Sequence, residues 1–239
     1  MRIAIVSDIH GNRTAFEAVL ADLRGSSPDL VLNGGDLVHG GSGDAEVVDR
    51  VRDLGWPGVM GNTDEMLFRP QALEDFAAET PTVAPLLPAI REMAAASREA
   101  LGEGRLAWLA GLPIEQIHPP VAVVHASPQS CWRAPGPEAP DADLQRVYGA
   151  LGQPLVVYGH IHRSYVRTLS GMMVANSGSV SLSYDGDARA AYLLVDDGRP
   201  SIRRVAYGVE KECRLLAERR VPHAVWIAKM LRAGSFQTP

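Results

Sequence analysis

Seven side chains able to bind metal stand just after short apolar runs of this chain. Asp8 and His10 follow the run at 3–6, Asp36 follows 30–32, and Asn62 follows 58–60. Further along, His125 follows 121–124, and His160 with His162 follows 155–158. Such runs, rich in β-branched residues, are expected of strands buried on both faces. In open α/β sheets, ligands bind beyond the carboxyl ends of the strands. The pattern therefore predicts two carboxylates, one amide and four imidazoles at one edge of one sheet. In extended chain, residues i and i+2 point the same way, so Asp8 with His10, and His160 with His162, are each expected to present two ligands together. Gly35, Gly61 and Gly159 directly precede Asp36, Asn62 and His160, leaving space for a tight turn beside an ion or a phosphate.

Carboxylate, amide and imidazole donors without thiolate suit Mn²⁺ first, with Fe, Ni²⁺ or Zn²⁺ also compatible. Seven donors are too many for one ion and natural for two divalent metal ions. If Asp36 bridges, each ion has four protein ligands and keeps room for water. Two ions about 3.5–4 Å apart lower the pKa of a water between them and neutralise charge on phosphoryl oxygens. The chemistry such a constellation serves is metal-assisted hydrolysis.

Taken in order, Asp8-x-His10, Gly35-Asp36, Gly61-Asn62, His125 and Gly159-His160-x-His162 resemble the motifs of the calcineurin-like metallophosphoesterase superfamily, and in particular its small prokaryotic phosphodiesterases. Asn176-Ser177-Gly178-Ser179-Val180 is similar to a loop often found after them. The resemblance implies a four-layer αββα fold, a β-sandwich flanked by helices, whose C-terminal strands build the second sheet. It implies one metal on Asp8, His10, Asp36 and His162, and another on Asp36, Asn62, His125 and His160. A hydroxide bridging the two ions would attack phosphorus in line with the leaving group. The implied activity is that of a phosphodiesterase or phosphatase on a small phosphoester. One position departs from the pattern. Much of the superfamily has a His after the Gly-Asn pair that helps protonate the leaving group, and here Thr63 stands there, followed by Asp64. Asp64 and His39, three residues after Asp36, are the candidate catalytic substitutes. The missing donor also admits an alternative: a metal-binding scaffold of the same fold with weak or no activity.

The elements that must position these residues are legible in part. Phe16, Val19, Leu20 and Leu23 share one helical face, with Asn12 placed to cap it. Asp44 is placed to cap a second helix carrying Val47, Val48, Val51 and Leu54. With strands at 3–6, 30–32 and 58–60 this is a βαβαβ opening, which predicts a parallel sheet. From about 64 to 112 strand signals cease, and two helical patterns, around Leu86–Ala94 and around Leu106 with Leu109, predict a helical insertion. Strands resume at 121–124, 155–158 and 172–175, with a Pro-rich loop at 133–140 between the first two. A hairpin at 190–195 and 202–207 turns through Asp196-Asp197-Gly198, and helices at 210–218 and 224–231 follow. No linker divides the chain, so residues 1–239 are expected to be one domain. The insertion and the Pro-rich loop are expected to shape the substrate pocket.

Composition narrows the partners. A net charge of −5 lacks the Lys and Arg excess that gripping long nucleic acid requires. The run at 3–6 is too short for a signal peptide or a membrane span. Cys131 and Cys213 stand in no paired motif, as expected of reduced thiols in a cytoplasmic protein.

Overall fold

The computed structural model describes residues 1–239. The chain runs β1 (Arg2–Val6), α1 (Arg13–Ser26), β2 (Leu30–Asn33), α2 (Asp44–Asp53), α3 (Asn62–Phe68), α4 (Gln71–Glu79) and α5 (Leu87–Ala110). It continues through β3 (Glu115–His118), β4 (Val121–Val124), α6 (Asp141–Tyr148), β5 (Leu155–Tyr158), β6 (Tyr165–Leu169) and β7 (Met172–Asn176). It closes with β8 (Ala190–Asp196), β9 (Arg199–Val205), α7 (Val209–Glu218) and α8 (Ala224–Ala233). These strands form two sheets, ordered β2-β1-β8-β9 and β3-β4-β5-β7-β6.

The side-chain period of two explains the layering. Ile3 and Ile5 of β1, with Leu193 and Val195 of β8, pack against Val121 and Val123 of β4 and Leu155 and Val157 of β5. The alternate residues face outward and are buried too. Ala4 and Val6 meet Phe16, Val19 and Val47 of α1 and α2, while Ala122, Val124, Val156 and Tyr158 meet Leu144 and Tyr148 of α6. The result is the expected αββα arrangement. The sequence-based picture of one sheet is corrected. β1 and β2 are parallel in one sheet, and β4, β5 and β7 are parallel in the other. The C-terminal hairpin does not build the second sheet. β8 pairs antiparallel with β1, Arg2 opposite Asp196, and so extends the first.

Other expectations shift for local reasons. Residues 58–60 make an isolated bridge from Gly58 to Asn33 rather than a strand, because Pro57 precedes them and α3 opens at Asn62. β3, β6 and α6 were not anticipated; β3 alternates exposed and half-buried residues at a sheet edge and carries no apolar run. The insertion is helical as expected, and its α5 breaks at Gly102 (φ 65°, ψ 173°), which separates the two apolar patterns. Its Met66, Leu67, Leu101 and Leu109 share a core with Val47 and Val51 of α2.

Asn12 caps α1 as expected, its Oδ1 accepting from the Ala15 N–H at 2.9 Å. Asp44 does not cap α2. Gly43 takes that place, and the Asp44 carboxylate turns back to accept the His39 N–H at 3.1 Å. Burial pushes the Asp44 carboxyl up to about 6, against hydrogen bonds from Ser97 and His39 that favour the anion. A folded-state pKa above the unfolded one means that the folded protein binds the proton first, so ionisation weakens the fold as pH rises through that window. Asp44→Asn is expected to match wild type near pH 4 and to exceed its stability by about 3 kcal/mol above pH 7. Urea unfolding across that range reads the difference, and one that stays constant with pH counts against it.

Candidate metal centre

Both sheets feed the site. Asp8 and His10 follow β1, Asp36 follows β2, His125 follows β4, His160 and His162 follow β5, and Asn62 opens α3. The i, i+2 pairs do not converge through extended chain. Asp8 (φ 57°), His10 (φ 49°), Asp36 (φ 53°), His160 (φ 66°) and His162 (φ 56°) all adopt the left-handed conformation. Such residues are held there only when surroundings over-determine them, as at functional sites. The surroundings are visible. The Asp8 and His10 N–H groups donate to the carbonyls of Gly35 and Asp36 at 2.9 and 3.0 Å, sewing the two loops of the first sheet together. The His160 N–H donates to Asp8 Oδ1 at 3.1 Å, joining the second sheet's loop to the first. Two glycines permit this approach. A Cβ at Gly61 would lie 2.1 Å from Asp36 Oδ1, and one at Gly159 would lie 2.2 Å from Ser7 Oγ. The loop after β7 braces the site, with Asn176 Nδ2 donating to the Gly159 carbonyl at 2.5 Å and Ser179 Oγ to that of Asp8 at 2.9 Å.

All seven side chains meet. Donor atoms of Asp8, His10, Asp36 and His162 lie within 4.8 Å of one another, and all four residues are buried. His10 Nδ1 lies 3.1 Å from the His39 carbonyl, and His162 Nδ1 lies 2.5 Å from that of Leu182. Carbonyls only accept, so both Nδ1 atoms carry hydrogen, and in the neutral rings both Nε2 atoms are bare lone pairs. Those two Nε2 atoms face each other at 3.1 Å, and Asp8 Oδ1 is 3.1 Å from that of His162. On the other side, His125 Nδ1 donates to the Gly34 carbonyl at 2.8 Å, and its Nε2 lies 3.0 Å from Asn62 Oδ1. His160 Nδ1 lies 2.8 Å from that same oxygen. Turning the amide over would let its NH₂ donate to both rings. With the oxygen inward and a cation in place of the His125 proton, lone pairs would converge on one point. Asp36 spans the two groups, with Oδ1 3.4 Å from His125 Nε2 and Oδ2 3.7 Å from His10 Nε2.

The electrostatics point the same way. Burial would raise the Asp36 carboxyl, but His125 and then His10 outweigh it and hold the group well below the usual carboxylate range. Burial likewise opposes a charge on His125, yet Asp36 and Asp8 push its pKa up to about 9. Burial, with His125 adding, pushes His160 down to about 4. Two buried carboxylates thus hold a proton on His125 Nε2, where a cation would supply the same compensating charge. This donor set fits a divalent metal.

The two candidate acids are placed differently from the donors. Asp64 is fully buried, and its carboxylate accepts from the N–H groups of Asp36 and Leu37, both at 2.9 Å, and of Gly61 at 3.0 Å. Burial and the Asp36 charge push its pKa up to about 7. That geometry makes it a clamp on the Asp36 loop. Asp64→Ala would orphan three buried donors, each worth about 1–3 kcal/mol. A marked loss of stability in urea, accompanied by loss of metal, is expected; wild-type stability would contradict the clamp. His39 gives its Nε2 hydrogen to the Ile90 carbonyl at 3.3 Å, and burial with His10 pushes its pKa down to about 4. Thr63 donates its hydroxyl to the Val38 carbonyl at 3.0 Å and its N–H to Asp36 Oδ1 at 2.9 Å.

Sequence reasoning missed several supports. Ser7 Oγ lies 2.5 Å from Asp8 Oδ2; its place beside Asp8 was the only signal. Tyr184 stacks on His162 with ring centroids 4.7 Å apart, a contact no local pattern announces. Glu65 accepts from Cys131 Sγ at 3.0 Å and Trp132 Nε1 at 2.5 Å, fixing the loop after β4. The Pro-rich loop lies against the second sheet, where Tyr158 and Arg167 donate to its carbonyls.

A two-sheet sandwich with a buried Asp/His cluster at its loop end defines a metal-dependent phosphoesterase fold. Residues 1–198 match the calcineurin-like phosphoesterase superfamily domain, and the chain belongs to that superfamily. A metallophosphoesterase from Sphaerobacter thermophilus is 28% identical and superposes with a TM-score of 0.77 over 98% of this chain and 99% of that one. A hypothetical protein from Pyrococcus horikoshii OT3, 18% identical, shares the fold with a TM-score of 0.81 over 99% of each chain. An uncharacterized protein from Methanocaldococcus jannaschii is 28% identical in an alignment of 255 positions that covers 97% of this chain and 98% of that protein. No helix here is long and apolar enough to cross a membrane.

Proposed function

We propose that the chain hydrolyses small phosphate esters, as a phosphodiesterase or phosphatase, at a centre of two divalent cations with Mn²⁺ the first candidate. Asp8, His10, Asp36 and His162 would hold one ion, and Asp36, Asn62, His125 and His160 the other. The observation that carries this reading is the pair of bare Nε2 atoms of His10 and His162, 3.1 Å apart beside Asp8 and Asp36. A metal cation relieves that arrangement while both Nδ1 hydrogens stay on carbonyls; without one, an Nε2 atom must take up a proton. Two such ions supply an activated water and neutralise charge on the phosphoryl oxygens. The chain's own residues do the rest. The carbonyls of His39, Leu182 and Gly34 fix three imidazole tautomers, and ligand basicity rises with that support. Asp64 and the Thr63 N–H hold Asp36 between the two halves. The free, buried cysteines support a reducing, cytoplasmic setting.

The test is release of nitrophenol from bis(p-nitrophenyl) phosphate by metal-depleted protein before and after addition of Mn²⁺. Turnover that appears only with metal is expected. Metal-loaded protein that releases nothing would favour the scaffold reading, for which Thr63 is the supporting feature.

A further inference from the structure

A pocket of about 180 Å³ opens beside the metal donors, and His10 and His162 belong to both. Its walls come from Ile90 and Met93 of α5, Trp226 and Met230 of α8, and the rings of Tyr184 and Phe236. No Lys, Arg, Asp or Glu lines it. The aromatic walls are ordered by one another. Tyr184 stacks on His162, and Phe236 meets Tyr184 edge-on at 5.8 Å and Trp226 edge-on at 6.4 Å. The polar groups along the walls are mostly occupied within the protein. His39 Nε2 is on the Ile90 carbonyl, the Thr63 hydroxyl on that of Val38, and Trp226 Nε1 on that of Gln237. The Tyr184 hydroxyl meets only Met230 Sδ, at 3.8 Å.

We propose that this pocket receives an uncharged aromatic ring carried by the phosphoester, so that the ester itself lies at the metal donors. The proposal rests on the phosphoesterase reading and names its substrate class. An apolar cavity of about 150 Å³ takes up one benzene ring, so the volume suits a single ring. A polyphosphate chain or other charged substituent would lose its water here without gaining a partner. Aromatic edges and faces offered together favour a ring over an alkyl chain. The Tyr184 hydroxyl, held only by the weak acceptor Met230 Sδ, can turn to a ring bearing an acceptor.

Calorimetry on Mn²⁺-loaded protein tests this with phenylphosphonate and methylphosphonate, which share the anionic head and differ in the ring. Burial of the ring predicts roughly 10- to 100-fold tighter binding of phenylphosphonate. Ile90→Glu, which puts a charge on the wall, is expected to erase that preference. Phe236→Ala is expected to reduce it several-fold; Phe236 is 47% exposed, so folding tolerates its loss. Equal binding of the two phosphonates by wild type overturns the proposal even if bis(p-nitrophenyl) phosphate is hydrolysed. A preference that survives both substitutions puts the ring elsewhere and overturns it as well. A phenyl preference lost in the variants, in protein that hydrolyses nothing, upholds the subsite and counts against the phosphoesterase reading instead.

Discussion

Asp36→Asn is expected to strip the centre of metal and to end turnover. The wild-type carboxylate points one oxygen toward His125 Nε2 at 3.4 Å and the other toward His10 Nε2 at 3.7 Å. An amide keeps one acceptor and turns an NH₂ toward the other half, where it would oppose a cation. At the proposed two-metal centre it would also remove a full negative charge from between the ions, leaving them to repel each other with one carboxylate, Asp8, remaining. Removing one electrostatic contact to a transition state typically slows an enzyme by about 10²–10³-fold. Here loss of metal adds to that, so turnover should fall by more than roughly 10³-fold. Elemental analysis of purified wild type and variant, with turnover measured in excess Mn²⁺, decides the matter. The Thr63 N–H retains an oxygen partner in the amide, so the variant should still fold. Active Asp36→Asn protein with two firmly held metals would remove Asp36 from the bridging role.

The second large effect concerns the leaving group. Positioned acid catalysis contributes about 10²–10⁴-fold, most when the leaving oxygen is basic. The three side chains nearest to that role are engaged elsewhere in the protein. Thr63 stands where an imidazole is usual and commits its hydroxyl to the Val38 carbonyl. Asp64 has both oxygens on backbone N–H groups. His39 is neutral at pH 7, with its ring hydrogen on the Ile90 carbonyl. Rates on a graded series of phosphodiesters should therefore depend steeply on leaving-group pKa, with aryl esters and anhydrides good substrates and alkyl esters poor. Thr63→His should flatten that slope if the new imidazole reaches the leaving oxygen. His39→Ala should leave it unchanged. A shallow slope in wild type would mean that an acid is present after all, and steepening in His39→Ala would identify it.

Much of the site is legible without coordinates because its determinants are local. An apolar, β-branched run that ends in Asp or His announces a strand delivering a candidate ligand, and the order of five motifs narrows the family. The outer helices are legible for the same reason, since Phe16, Val19, Leu20 and Leu23 recur at the helical period. What escaped is non-local. β3 forms because a neighbour offers hydrogen bonds, and its own residues, Glu115-Gln116-Ile117-His118, carry little apolar signal.

The sequence by itself determined which donors exist, their order and the glycines that let backbones approach, because these depend on residue type at adjacent positions. Only the tertiary structure decided that Asp8 and Asp36 come from one sheet and His125, His160 and His162 from the other. It alone decided that five of the candidate ligands sit at positive φ, since such conformations persist only under contacts between distant segments. Asp64 shows the difference most directly. Beside Asn62 in the sequence it reads as an acid for catalysis, yet desolvation and three backbone donors that only folding brings to it make it a clamp.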